Sequence, residues 1–173
     1  SELNRLGQKG TEDLEQRGIW ADEGSNKQRL KRIALAVNSV PTLAREGSGE
    51  FGLVAETFSL DDARKAAASG ATEITLDPFL RHPMPPVTRV RTLVSELSDA
   101  GVRLSIRLPT IVRPAERKTL NKWLDLGLPL STGHVGLVSE LSHGGRSVTA
   151  DYAVSCFNQH AAAEIFALGA PRF

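Results

Sequence analysis

Asp151 and Tyr152 are neighbours in the run Val148-Thr149-Ala150-Asp151-Tyr152, and Asn158 follows shortly after. A carboxylate beside a phenol can accept and donate hydrogen bonds together, and so orient a polar ligand. Arg107 offers a guanidinium suited to a carboxylate or phosphate. Asp77 adds a second carboxylate, and His134 an imidazole. The other histidines, His82, His143 and His160, form no i,i+4 pair and no H-E-x-x-H, so no metal ligand is assigned. Cys156 is the single cysteine. Without a matching histidine–asparagine order, it reads as a small buried residue before it reads as a nucleophile.

These residues need elements to hold them. Val102, Leu104, Ile106 and Leu108 alternate strictly with Arg103, Ser105 and Arg107, which predicts a two-faced strand over 102–108. Further strands are predicted over 51–57, 73–77, 128–132 and 147–152. Between them lie helical patterns: one from the Ser59/Asp62 capping box to Gly70, then 87–100, 115–126 with Pro114 ahead of it, 135–143 and 158–168. The last should turn Ala162, Ile165 and Phe166 inward. Glycines at 70, 101, 127, 145 and 169 close each helix, and the intervals suit a βα unit. Upstream, 1–18 reads as a helix carrying Leu3, Leu6 and Leu14 and closed by Gly18. Residues 19–50 read as a linker or arm. Within it, 19–31 are polar and basic, 33–37 could form a short strand, and 44–50 form a loop.

Strands alternating with helices give an α/β fold of parallel βα repeats over 51–173. No Gly-x-Gly-x-x-Gly or P-loop follows any strand, which favours a TIM-barrel-like arrangement over a nucleotide-binding open sheet. About five units fit, fewer than the eight of a full barrel. The expectation is therefore a partial barrel, truncated at the C-terminus. It should expose sheet edges and apolar strand faces, and either pair with another copy or close irregularly. In a barrel, chemistry sits at the C-terminal strand ends, where Asp77, Arg107, His134, Asp151 and Tyr152 fall, with Asn158 close behind.

Each also has a plainer role. Asp77, ahead of Pro78, can start a turn, and His134 can cap helix 135–143. Arg103 and Arg107 share the face opposite the aliphatic one and point into the barrel, where Arg107 either binds an anion or makes an internal salt bridge with Asp77 or Asp151. Asp151, Tyr152 and Arg107 are the catalytic candidates; His134, Asn158 and Asp77 are the substrate-binding ones.

The 173 residues carry 40% hydrophobic and 24% charged side chains and a net charge of +1, ordinary for a globular domain. Nothing in that balance demands a nucleic-acid or membrane partner. A single cysteine fits a reducing compartment, so a cytoplasmic location is expected. No apolar run approaches a membrane span, and the polar start is not a signal peptide.

The segment from Val148 to Asn158, an Asp-Tyr-(small)-x-x-x-Phe-Asn stretch followed by an Ala-rich helix and Leu-Gly-Ala, resembles the collagenase-like peptidases, family thirty-two of those with unassigned mechanism. Leu108-Pro109-Thr110-Ile111-Val112-Arg113-Pro114-Ala115-Glu116, Gly133-His134-Val135-Gly136-Leu137 and the opening Ser1-Glu2-Leu3-Asn4-Arg5-Leu6 resemble other pieces of that family, in the same order. The resemblance implies a barrel-like domain and a peptidase label. It also implies a competing activity. Some members are similar to enzymes that hydroxylate ribosomal or transfer RNA bases with prephenate and an iron–sulfur cluster bound by a cysteine-rich signature. This chain lacks that signature, so no cofactor is expected within it. The alternatives are a hydrolase, as the label states, or a non-catalytic domain binding RNA or protein. The partners implied are RNA or a peptide, another copy, or the missing remainder of the same protein. By the match, Asp151, Tyr152 and Asn158 fall on motif positions.

Overall fold

A computed structural model describes residues 2–39, 52–80 and 83–173, apart from the side chains of Leu3 and Asn4. Ser1, the predicted loop 44–50, Phe51 and His82 lie outside the described residues. The chain divides into two units, Ser1–Thr42 and Leu43–Phe173.

The first unit corrects the expectation of a short helix, a linker and a strand. Glu2–Ser39 is one α-helix, α1, of 38 residues. Two local signals mislead here. Gly18 and Gly24 look like stops, but a mid-helix glycine costs only about 1 kcal/mol relative to alanine. No proline interrupts 1–39, and Leu, Glu, Gln, Lys, Arg and Ala dominate it. The apolar run 33–37 belongs to a helical pattern, because Leu30, Ile33, Ala34 and Val37 follow i, i+3, i+4, i+7. Leu6 and Leu14, two of the leucines of the predicted short helix, are exposed.

The second unit is the predicted α/β fold. Its elements are β1 (Val54–Thr57), α2 (Leu60–Ala68), β2 (Glu73–Leu76), α3 (Val87–Asp99), β3 (Arg103–Leu108), α4 (Arg117–Leu124), β4 (Leu130–Thr132), α5 (Val135–His143), β5 (Val148–Ala150) and α6 (Gln159–Ala167). All five strands are parallel and lie in chain order, β1-β2-β3-β4-β5, as in a stretch of a TIM-like barrel. A further parallel bridge joins Thr149 to Arg172, which takes the next place beside β5.

Local chemistry explains the boundaries. The Ser59 hydroxyl accepts from the Asp62 amide at 3.1 Å and starts α2. The 3-10 turn Pro114–Glu116 leads into α4, with the Glu116 carboxylate accepting from the Arg113 amide. At the end of α3, Gly101 has φ +71° and donates to Ser98, while Val102 donates to Leu97. This is the paired closure that a left-handed glycine permits. The Val102–Leu108 alternation sends Leu104, Ile106 and Leu108 into the core. They pack there with Ile74, Leu76, Leu93, Leu120, Trp123, Leu130 and Val138. Phe166 does not turn inward as expected: it is 38% exposed and lies edge-on to Phe173, centroids 5.3 Å apart.

The opposite, concave face is polar. It carries Glu56, Glu73, Thr75, Ser105, Arg107, Ser131 and Thr149, where a closed barrel holds bulky branched residues. The apolar strand face expected to lie bare is instead covered by helices, although Leu53 and Val54 at the β1 edge are exposed. Curvature is visible in one contact. Arg172 stands four strand positions from β2, about 19 Å along a flat sheet. Its guanidinium nevertheless donates to both Glu73 oxygens, at 2.9 and 3.1 Å. The sheet curls enough for one arginine to close the chord.

Arg172's hydrogen bonds hold the Glu73 carboxyl below the usual carboxylate range, against the opposing effect of burial; the charges of Arg172 and Arg103 add to the lowering. A depressed folded-state pKa stabilises the fold above the ordinary carboxylate value, and that contribution is lost as pH falls through the depressed one. Glu73→Gln should lower stability at pH 7 by about 2 kcal/mol and flatten the acid limb of stability against pH below about 4.5. Chemical denaturation across pH 2–7 checks this; an unchanged acid limb would contradict it.

Candidate functional site

Three carboxylates converge on one guanidinium at the C-terminal strand ends. Arg107 of β3 donates through Nε to Asp151 Oδ2 at 2.9 Å. Through Nη1 it donates to Glu56 of β1 at 2.8 Å and, more weakly, to Asp77 after β2 at 3.5 Å. Through Nη2 it donates to the Tyr152 hydroxyl at 2.9 Å, and its carbon lies 4.8 Å from the Tyr152 ring centre. The side chains of Arg107, Asp77 and Asp151 are 11%, 10% and 8% exposed, while that of Glu56 is 32% exposed. Burial alone would lower the Arg107 pKa. The hydrogen bond and charge of Asp151, the charge of Glu56 and the Tyr152 hydroxyl outweigh it and push the pKa above its already high ordinary value. The guanidinium is therefore permanently charged, and the acids around it outnumber it.

The backbone fixes the acids independently. Asp77 Oδ1 accepts from the amides of Phe79 and Leu80 at 2.9 and 3.1 Å, the turn-starting role anticipated for it. Asp151 Oδ1 accepts from the Ala153 amide at 2.8 Å and caps the 3-10 turn Tyr152–Val154. β5 thus ends at Ala150, earlier than the predicted 152. Gly133 makes room for this carboxylate. A Cβ there would meet Asp151 Oδ1 at 2.7 Å, Ala153 Cβ at 2.4 Å and Thr110 Oγ1 at 3.2 Å.

The structure brings Asp77, Arg107, Asp151 and Tyr152 together, and makes the internal salt bridge foreseen as one of Arg107's two roles. His134 and Asn158 serve as helix caps. His134 Nδ1 accepts from the Leu137 amide at 3.2 Å, and Asn158 Oδ1 accepts from His160 and Ala161 at 3.0 and 2.9 Å. Arg103, on the same strand face, is 71% exposed and pairs with Glu73 at 3.1 Å. Sequence reasoning missed Glu56, Glu73, Arg172 and Gly133. Period-two parity within the predicted strands 51–57 and 73–77 was the available signal for the two glutamates. Among the described residues, no group of three His, Cys, Asp or Glu is arranged to hold a metal ion. No helix among them is long and apolar enough to cross a membrane.

A parallel, sequentially ordered βα sheet with its polar cluster at the C-terminal strand ends defines a TIM-barrel-like protein. A solved structure similar to it is that of the U32 peptidase Mk0906, with a TM-score of 0.54 at 16% identity. The alignment covers 75% of this chain and 60% of that one, so this chain spans about three fifths of its neighbour's length. The likeness is one of fold. An HpcH/HpaI aldolase from Desulfitobacterium hafniense DCB-2 aligns at TM-score 0.32 and 15% identity, over 68% of this chain and 70% of that one, too weakly to carry an argument. No protein-family profile and no curated protein matches the chain.

Removing Arg107 would leave its acids facing one another without a counter-charge, which is unfavourable for partly buried carboxylates. Arg107→Met should cost about 3 kcal/mol at pH 7. Arg107→Lys, which keeps the charge but not the planar fork, should recover part of that loss. Thermal melts of the wild type and both variants at pH 7 test this, and a methionine variant as stable as the wild type would refute it.

Proposed function

We propose that the second unit is the substrate-holding part of a family-thirty-two-like protein that acts on RNA, with Tyr152 and the Arg107 centre capturing an unstacked base. One observation carries this. Tyr152 is 74% exposed at the C-terminal rim, yet its orientation is set by Arg107 through the hydroxyl hydrogen bond and the guanidinium against the ring. A fixed aromatic face open to solvent is a stacking platform for a base. The acids beneath it can accept from a base's amino group. Phe157, 88% exposed in the same β5–α6 segment, offers a second ring.

The resemblance around Asp151–Asn158 and the likeness in fold to a U32 peptidase both support a member of this group. An iron–sulfur cluster is normally held by several cysteine thiolates. Cys156 is the chain's single cysteine, so the residues present do not fit a cluster, and no step is derived through one. A peptidase would need an activated nucleophile. His134 Nδ1 accepts from the Leu137 amide, and His143 Nδ1 lies 2.7 Å from the Ser139 carbonyl of its own helix, so both rings are engaged with helix backbone.

Stacking contributes about 1–3 kcal/mol per base. Tyr152→Ala should therefore weaken binding of a short single-stranded RNA about tenfold or more in a low-salt fluorescence-anisotropy titration, while Tyr152→Phe stays within about threefold of wild type. RNA binding that ignores both substitutions, or no RNA binding at all, would defeat this function.

A further inference from the structure

Below the Arg107 centre the concave face forms a groove with a volume of about 360 Å³. Its floor is made of hydroxyls that are mostly already engaged. Thr75 and Ser105 hydrogen-bond one another at 3.0 Å, and Thr149 accepts from Arg172 at 3.3 Å. Ser131 differs. It is 7% exposed and lines the groove, in register between Arg107 on β3 and Thr149 on β5. Its hydroxyl makes no hydrogen bond to another described residue and opens into the groove. A hydroxyl that faces the groove without a protein partner is available to hydrogen-bond a ligand there.

The groove is also electrically polarised along its length. At the C-terminal mouth, Glu56, Asp77 and Asp151 face the single cation Arg107. At the other end, Arg172 and Glu73 line the groove as a pair, and Arg103, exposed beyond the lining, adds a second cation to Glu73. Arg103 and Arg107 lie four residues apart on one strand, about 13 Å. An anion alone would be repelled at the mouth, and a cation alone would gain nothing at the far end. A small molecule with an ammonium at one end and a carboxylate at the other matches both. A three-residue chain has about the right reach, at roughly 3.3–3.6 Å per residue.

We propose that the groove binds a small zwitterion, its ammonium beside Glu56 and Asp151, its carboxylate toward Arg172, and its middle hydrogen-bonded by Ser131. The site shares Glu56 and Asp151 with the RNA-directed reading but does not use the Tyr152 ring, so the two are tested by different probes.

Triglycine with free ends is the probe, titrated into the full chain by isothermal calorimetry beside N-acetyl-triglycine and triglycine amide. Blocking either end should weaken binding at least tenfold. Ser131→Val should do the same, and Ser131→Thr, which restores the hydroxyl, should recover most of it. Ser131→Ala serves in place of Ser131→Val if the larger side chain unfolds the protein, with circular dichroism reporting the fold. Blocked peptides binding as well as free triglycine, hydroxyl-free variants binding as well as wild type, or no heat of binding with triglycine would each overturn the site, whatever the RNA titration shows.

Discussion

A guanidinium that is 11% exposed on a sheet face needs acids around it, and Arg107 draws them from β1, from the end of β2 and from the end of β5. One side chain thus ties together strands that are far apart in sequence. Networks of this kind contribute little net stability, since desolvation offsets attraction. Their effect is geometric: three carboxylates and a phenol must meet one planar fork, which leaves few arrangements of the strand ends. The mouth of the half-barrel inherits its shape from that requirement. Gly133 belongs to the same requirement, because a side chain there would occupy the space that Asp151 uses.

The two faces of the sheet divide the work. Stability comes from the convex side, where Leu104, Ile106 and Leu108 meet Leu93, Leu120 and Val138 under the helices. The concave side adds little hydrophobic burial and is left to polar groups. This separation lets binding chemistry vary without touching the core. It also explains how a polar floor is tolerated: the Thr75–Ser105 pair and the Arg172–Thr149 contact satisfy their hydroxyls locally.

The sequence made the repeating unit legible because its signals are local. Ser59, His134 and Asn158 sit where caps are required, and α5 runs over the predicted 135–143. The parity of Arg107 placed it inward, and strand-end logic gathered Asp77, Asp151 and Tyr152. What escaped was long-range. Nothing near Glu73 in sequence reveals that Arg172 will arrive beside it, because that contact depends on how tightly the sheet curls. Helix α1 escaped for the opposite reason. Gly18, Gly24 and the Ala-Leu-Ala run gave misleading local cues, and only the longer i, i+3, i+4, i+7 pattern would have overruled them.

The polar concave face has a consequence for how such a half-barrel meets its surroundings. An arc lined with leucine and valine would shed water and draw any apolar partner into it. An arc lined with Ser131, Thr149, Glu56 and Arg107 is wetted instead, so filling it requires exchanging ordered water for groups that bond equally well. Adhesion without chemical matching is thereby discouraged. Whatever completes the arc must be recognised by hydrogen bonding, at the β1 margin, at the Arg172 margin or on the hydroxyl floor itself.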